Sequence, residues 1–97
     1  SQYGQAFNLK VRVEKEIDDY KSLGNISDSS TVLSALIETK NSVEAILKKI
    51  NFIEFDVYNK ITTVGQEGDL LEIRKEMEEA YLDTENCLKQ ICEQLGS

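Results

Sequence analysis

The chain has 97 residues, 40% of them apolar and 30% charged, which suits one small domain over 1–97 and leaves no room for a second at roughly 100 to 150 residues each. Eighteen acidic against eleven basic side chains give a formal charge of −7, so nucleic acid would be repelled and is excluded as a first expectation. The absence of histidine removes the commonest general base, the usual transition-metal ligand and the near-neutral proton switch.

In the first segment Ala6, Leu9, Val13, Ile17 and Tyr20 recur at helical spacing. Residues 7–14 also alternate apolar and polar as a strand would, and so do residues 53–57. A two-stranded ribbon is marginal on its own and both stretches sit inside longer helical patterns, so the helix is the expected state. Gly24 then Asn25 supply a C-terminal stop, and Asp28, Ser29 and Ser30 offer N-caps for the next helix. Asn25-Ile26-Ser27 matches a glycosylation triplet that arises often by chance, and it is read here as turn sequence.

From Ser30 to about Val64, the positions Leu36, Lys40, Val43, Leu47, Ile50, Glu54, Val57, Ile61 and Val64 follow heptad spacing, and the seven apolar ones among them make a long amphipathic helix. Gly65, Gln66, Glu67 and Gly68 then turn the chain, with Asp69 and Glu72 resembling a capping pair for the third helix. This loop lacks the lysine and hydroxyl of a phosphate-binding loop and follows a helix rather than a strand. From Leu70 onward the seam continues through Ile73, Met77, Tyr81, Thr84, Leu88, Ile91 and Leu95, with one polar break at Thr84. The expected fold is all-α: an antiparallel, coiled-coil-like three-helix bundle with helices roughly 29, 51 and 39 Å long, a short first helix beside a long second–third hairpin.

Cys87 and Cys92, five apart on a helix, point about 140° away from each other and read as free thiols. Free thiols favour a reducing compartment, so the cytoplasm is expected, with the nucleus as the other option. No apolar run approaches the roughly 18 to 20 residues of a membrane span, and no membrane insertion is expected. The chain begins Ser1-Gln2-Tyr3 rather than with methionine, as an excised domain of a longer protein would.

Two surfaces are candidates for function. Ile50, Phe52, Ile53, Phe55, Val57, Tyr58 and Ile61 cover nearly every direction around the second helix, more than one seam needs, which implies burial on more than one side. The first helix reaches back only to about residue 48 or 50, so this aromatic region protrudes beyond it. Across the hairpin lie Met77 and Tyr81, and Phe52, Ile53, Phe55, Tyr58, Met77 and Tyr81 form the expected partner-binding set. Tyr3 and Phe7, folding back, are the alternative cover. The second candidate is an acidic docking face at Glu72, Glu76, Glu78, Glu79 and Asp83, against which stands the plain reading of a solvated helix surface. These carboxylates lack the glycine-turned loop of a calcium site, and no histidine can activate a serine or cysteine. No metal, no cofactor and no catalytic residue is expected.

The hairpin from Val57 onward, with Val64 and Gly68 before a helix ending Leu88-Lys89-Gln90-Ile91, resembles the last two helices of a BAG domain, the Hsp70 cochaperone module. That resemblance implies nucleotide exchange on a chaperone. The family's third helix carries a basic stretch built on Arg-Lys pairs, whereas here Arg74-Lys75 is followed by Glu76, Glu78 and Glu79, and no residue roles are carried over. The layout is also similar to the regulatory N-terminal bundles of SNARE proteins in trafficking. The leading expectation is a non-catalytic protein-interaction module, a subunit or domain of a larger assembly that binds a partner helix or a second copy of itself. An apolar-ligand carrier is a further option, because a bundle can open between its helices.

Overall fold

The computed structural model describes residues 1–24, 31–63 and 67–95. The glycosylation triplet, the caps at Asp28, Ser29 and Ser30, Val64 and the Gly65-Gln66 part of the second turn lie outside them. The described residues form three α-helices and no strand: α1 (Gln2–Ser22), α2 (Thr31–Thr63) and α3 (Glu67–Gln94). The fold is all-α, with α1 packing on α2 and α2 on α3. Residues 7–14 and 53–57 are helical throughout, so the longer 3.6-residue period prevails over the short alternation it contains.

The ends of α1 show how the sequence sets its limits. Ser1 is the N-cap, its Oγ accepting from the Gly4 N–H at 3.0 Å. At the other end Gly24 has φ +69° and its N–H donates to the Lys21 carbonyl at 3.4 Å, the left-handed stop that lets a helix satisfy its last carbonyls. Nothing lies near the position of an added Cβ at Gly24, so Gly24→Ala should cost about 1 to 2 kcal/mol through backbone strain alone. An unchanged denaturation midpoint would contradict that. In α3 the start falls earlier than the capping pair predicts: the helix begins at Glu67, so Asp69 sits inside its first turn and is not the N-cap.

The chain divides into two compact units, residues Ser1–Leu47 and Lys48–Ser97, with α2 contributing to both. In the first unit Ala6, Leu9, Val13 and Ile17 of α1 and Val43, Ile46 and Leu47 of α2 are buried. In the second unit the buried residues are Ile50 and Ile53 of α2 and Ile73, Thr84, Leu88 and Ile91 of α3.

The buried stripe of α2 departs from the heptad positions. Leu36, Lys40 and Val57 are only half-buried, Glu54 and Ile61 are exposed, and Ile46 and Ile53 are buried in their stead. At 100° per residue, Val43, Ile46, Leu47, Ile50 and Ile53 span about 120° of the helix surface, the width of a globular core face rather than the narrower seam of a coiled coil. On α3 the polar break is the most buried position of its seam: Thr84 is 1% exposed, and its hydroxyl donates to the Tyr81 carbonyl at 2.9 Å. A local acceptor satisfies the one polar atom, so a threonine is tolerated there.

Cys87 and Cys92 are exposed and not joined in a disulfide, and the described residues hold no group of ligands suited to a metal ion. Far-UV circular dichroism should be unchanged by dithiothreitol or EDTA, and a loss of helix signal with either would contradict this.

Candidate docking surface

Three aromatic residues within one stretch of α2 face outward: Phe52 is 65% exposed, Phe55 65% and Tyr58 68%. Their i, i+3, i+6 spacing places them over about 120° of the helix surface, on the side away from Ile50 and Ile53. The polar neighbours that share this side are Lys48, Asn51, Asn59 and Thr62, and Glu54 and Asp56 flank it one turn from Tyr58 and Phe52.

Ile53 differs from the rest of the expected set. It is 6% exposed and belongs to the core, because its position on the wheel falls on the buried side of α2. Met77 and Tyr81 are half-buried. The Tyr81 hydroxyl donates to Glu54 Oε1 at 3.3 Å, and burial, then the Glu54 carboxylate, push its pKa up. The neutral phenol is thus favoured by the fold, a contribution present below the usual tyrosine value of about 10 and lost as pH rises through the higher folded value. Tyr81→Phe should remove the late phase from an ultraviolet tyrosinate titration of the folded chain, and an unaltered titration would contradict the assignment.

Along one side of α2 and α3 runs a groove of about 180 Å³. Ile53, Val57, Ile73 and Met77 form its apolar floor, Phe52 stands on the α2 rim, and Ala80 on α3 leaves the space open. Ion pairs cross it. Lys49 Nζ donates to Asp83 Oδ2 at 2.8 Å, and Lys60 Nζ lies 2.9 Å from Asp56 Oδ2 and 3.0 Å from Glu76 Oε2. An early residue of the α2 half pairs with a late one of α3 and a late one with an early one, which makes the two segments antiparallel. Hydrogen bonds to these carboxylates raise the pKa of both ammonium groups, Asp83 acting on Lys49 and Asp56 ahead of Glu76 on Lys60. All five groups are solvated, so the pairs orient side chains more than they stabilise the fold.

The expected acidic face separates into two. Glu72, Glu76, Glu79 and Asp83 stand at i, i+4, i+7 and i+11, within about 60° of one another on α3, and of the four Glu76 lines the groove. Glu78 lies about 120° from Glu72 and pairs instead with Arg74 at 3.1 Å. Within the stripe, Glu76 and Asp83 are engaged by Lys60 and Lys49, while Glu72 and Glu79 form no ion pair among the described residues. Lys49, Lys60 and Ala80 were not singled out from the sequence. The hairpin register could have found the lysines, since folding α2 against α3 about residues 64–69 places positions 49 and 60 opposite 83 and 76.

Among the described residues no helix is long and apolar enough to cross a membrane. Comparison of the chain with protein-family models, curated proteins and solved structures finds no match in any of the three.

Proposed function

We propose that the chain is a non-catalytic protein-docking module, a subunit or domain of a larger assembly, whose contact surface is the aromatic stretch of α2 at Phe52, Phe55 and Tyr58. The observation that carries this reading is the exposure of three aromatic side chains, each about two-thirds open to solvent, within seven residues of one helix. Contiguous apolar patches much beyond a few hundred Å² are uncommon on the free surface of a monomer, and aromatic residues are enriched among interface hot spots. Met77, which lines the groove with Phe52, and Tyr81, bonded to Glu54, are half-buried. The exposed thiols suit a reducing compartment such as the cytosol or nucleus. No specific observation favours the cochaperone or trafficking readings over this one.

The test is the double variant Phe52→Ser/Phe55→Ser, compared with the native chain as immobilised bait in an extract and by molar mass in solution. The variant should keep its helical circular dichroism, because both side chains point away from the core, and lose the associated protein or second copy. A folded variant that retains the same associations would place the docking surface elsewhere. A variant that unfolds would return the phenylalanines to the core.

A further inference from the structure

Behind its core face α2 carries a second ladder of heptad spacing. Lys48, Phe52, Phe55, Asn59 and Thr62 follow one another at intervals of four and three, all of them exposed, within about 80° of one another on the side of the helix away from Ile50. Alternating threes and fours on a solvated face make the seam of a helix that pairs along its length with another helix. Lys49 and Asp56 run along one flank of this ladder, Asn51 and Tyr58 along the other.

We infer that the ladder seats a second copy of this chain, with the two α2 helices antiparallel about a two-fold axis between Phe52 and Phe55. The inference rests on the docking reading and names its partner. Its ground is that the face complements itself. In that register Phe52 meets the partner's Phe55 and Lys48 meets the partner's Asn59, each contact occurring twice, so that phenyl rings from both copies cluster about the axis, where offset and edge-to-face packing is favourable. On the flanks Lys49 comes beside the partner's Asp56, and Asn51 beside the partner's Tyr58. A parallel pair would instead set Lys48 against the partner's Lys48 and Asp56 against the partner's Asp56, which like charges disfavour.

Area sets the strength. Phe52, Phe55 and Tyr58 are each about two-thirds exposed, and at roughly 150 to 250 Å² per aromatic side chain they offer about 300 to 500 Å² per copy. A standard interface buries about 800 Å² per partner, so the ladder's polar residues supply the rest and the dimer is weak. The contact holds Lys48, Lys49 and Asp56 from each copy, while the whole chain carries −7. Repulsion between copies therefore comes from charges outside the contact, and salt screens it.

The experiment is sedimentation equilibrium of the full chain from micromolar to millimolar concentration, at low and physiological salt. The native chain should pass from monomer to dimer as concentration rises, more readily at physiological salt, and Phe52→Ser/Phe55→Ser should stay monomeric with its helix signal intact. Disulfides read the register in a Cys87→Ser/Cys92→Ser background, both positions being exposed. Lys48→Cys/Asn59→Cys together should give a covalent dimer on oxidation, and either alone should not; both phenylalanines stay in place, so this readout is independent of the serine variant. Failure of the pair to link, or linking by Lys48→Cys alone, would overturn the antiparallel contact. A native chain that is monomeric throughout would overturn the second copy, and the docking reading would then stand only on a crosslink from position 55 to a different protein. A dimer that survives in the folded serine variant would overturn the inference and leave the docking reading to that same crosslink.

Discussion

Ile53→Ala should destabilise the chain by about 2 to 5 kcal/mol, whereas Phe52→Ala at the adjacent position should cost less than about 1 kcal/mol. Area alone would rank them the other way, since phenylalanine carries more apolar surface than isoleucine. Burial decides the order: Ile53 is 6% exposed and Phe52 65%, so truncating the first opens a cavity while truncating the second removes contacts that solvent already shares. Small domains are stable by roughly 5 to 15 kcal/mol, so the loss at Ile53 is a large fraction of the total. Urea denaturation with equal slopes for the two variants provides the measurement. A reversed order would mean that Phe52 is covered and that the aromatic stretch is core.

In the first unit, two opposite changes should both destabilise. Ala6 and Val13 are each 0% exposed, which marks close packing of α1 on α2. Ala6→Leu keeps a strong helix former and adds three carbons where no space exists, so about 1 to 3 kcal/mol should be lost to strain. Val13→Ala removes two methyl groups and leaves a void, costing about 1 to 3 kcal/mol even though alanine favours the helix. Val11→Ala, at a position 51% exposed, should stay within about 0.5 kcal/mol. If Ala6→Leu is neutral, the start of α1 is not packed against α2.

The sequence was most legible where one face is buried by one partner. On α1 Ala6, Leu9, Val13 and Ile17 of the expected stripe are buried and Tyr20 at its end is only half-buried, because a single 3.6-residue period leaves little ambiguity about a helix's inward side. On α2 the same logic overreached. A strict heptad ladder leads to Glu54 and Ile61, which are exposed, and passes over Ile46 and Ile53, which are buried. The buried face of α2 is wider than a two-helix seam, and a ladder of alternating threes and fours cannot register width.

The same stretch explains why the exposed residues of α2 were only partly readable. All-round apolarity between Ile50 and Ile61 shows that some side chains lack a place in the core, but not which ones. Ile53 and Phe52 are neighbours in sequence and about 100° apart on the wheel, and only the packed structure separates them. The acidic face was visible as composition, yet its division into the Glu76 side and the Glu78 side depends on which lysines reach across from α2. That information lies in the hairpin register, which no local pattern carries.

The central claim is that Phe52, Phe55 and Tyr58 are contacted by another protein when the chain is at work. Site-specific photocrosslinking tests it most directly, with benzoylphenylalanine replacing Phe55 in one sample and Leu82 in another. Leu82 is a suitable reference because it is 57% exposed on α3 and lies off the groove edge. The account predicts an adduct of defined mass from position 55, reproduced from positions 52 and 58, and none from position 82. An adduct from position 82 alone, or equal adducts from 55 and 82, would contradict it.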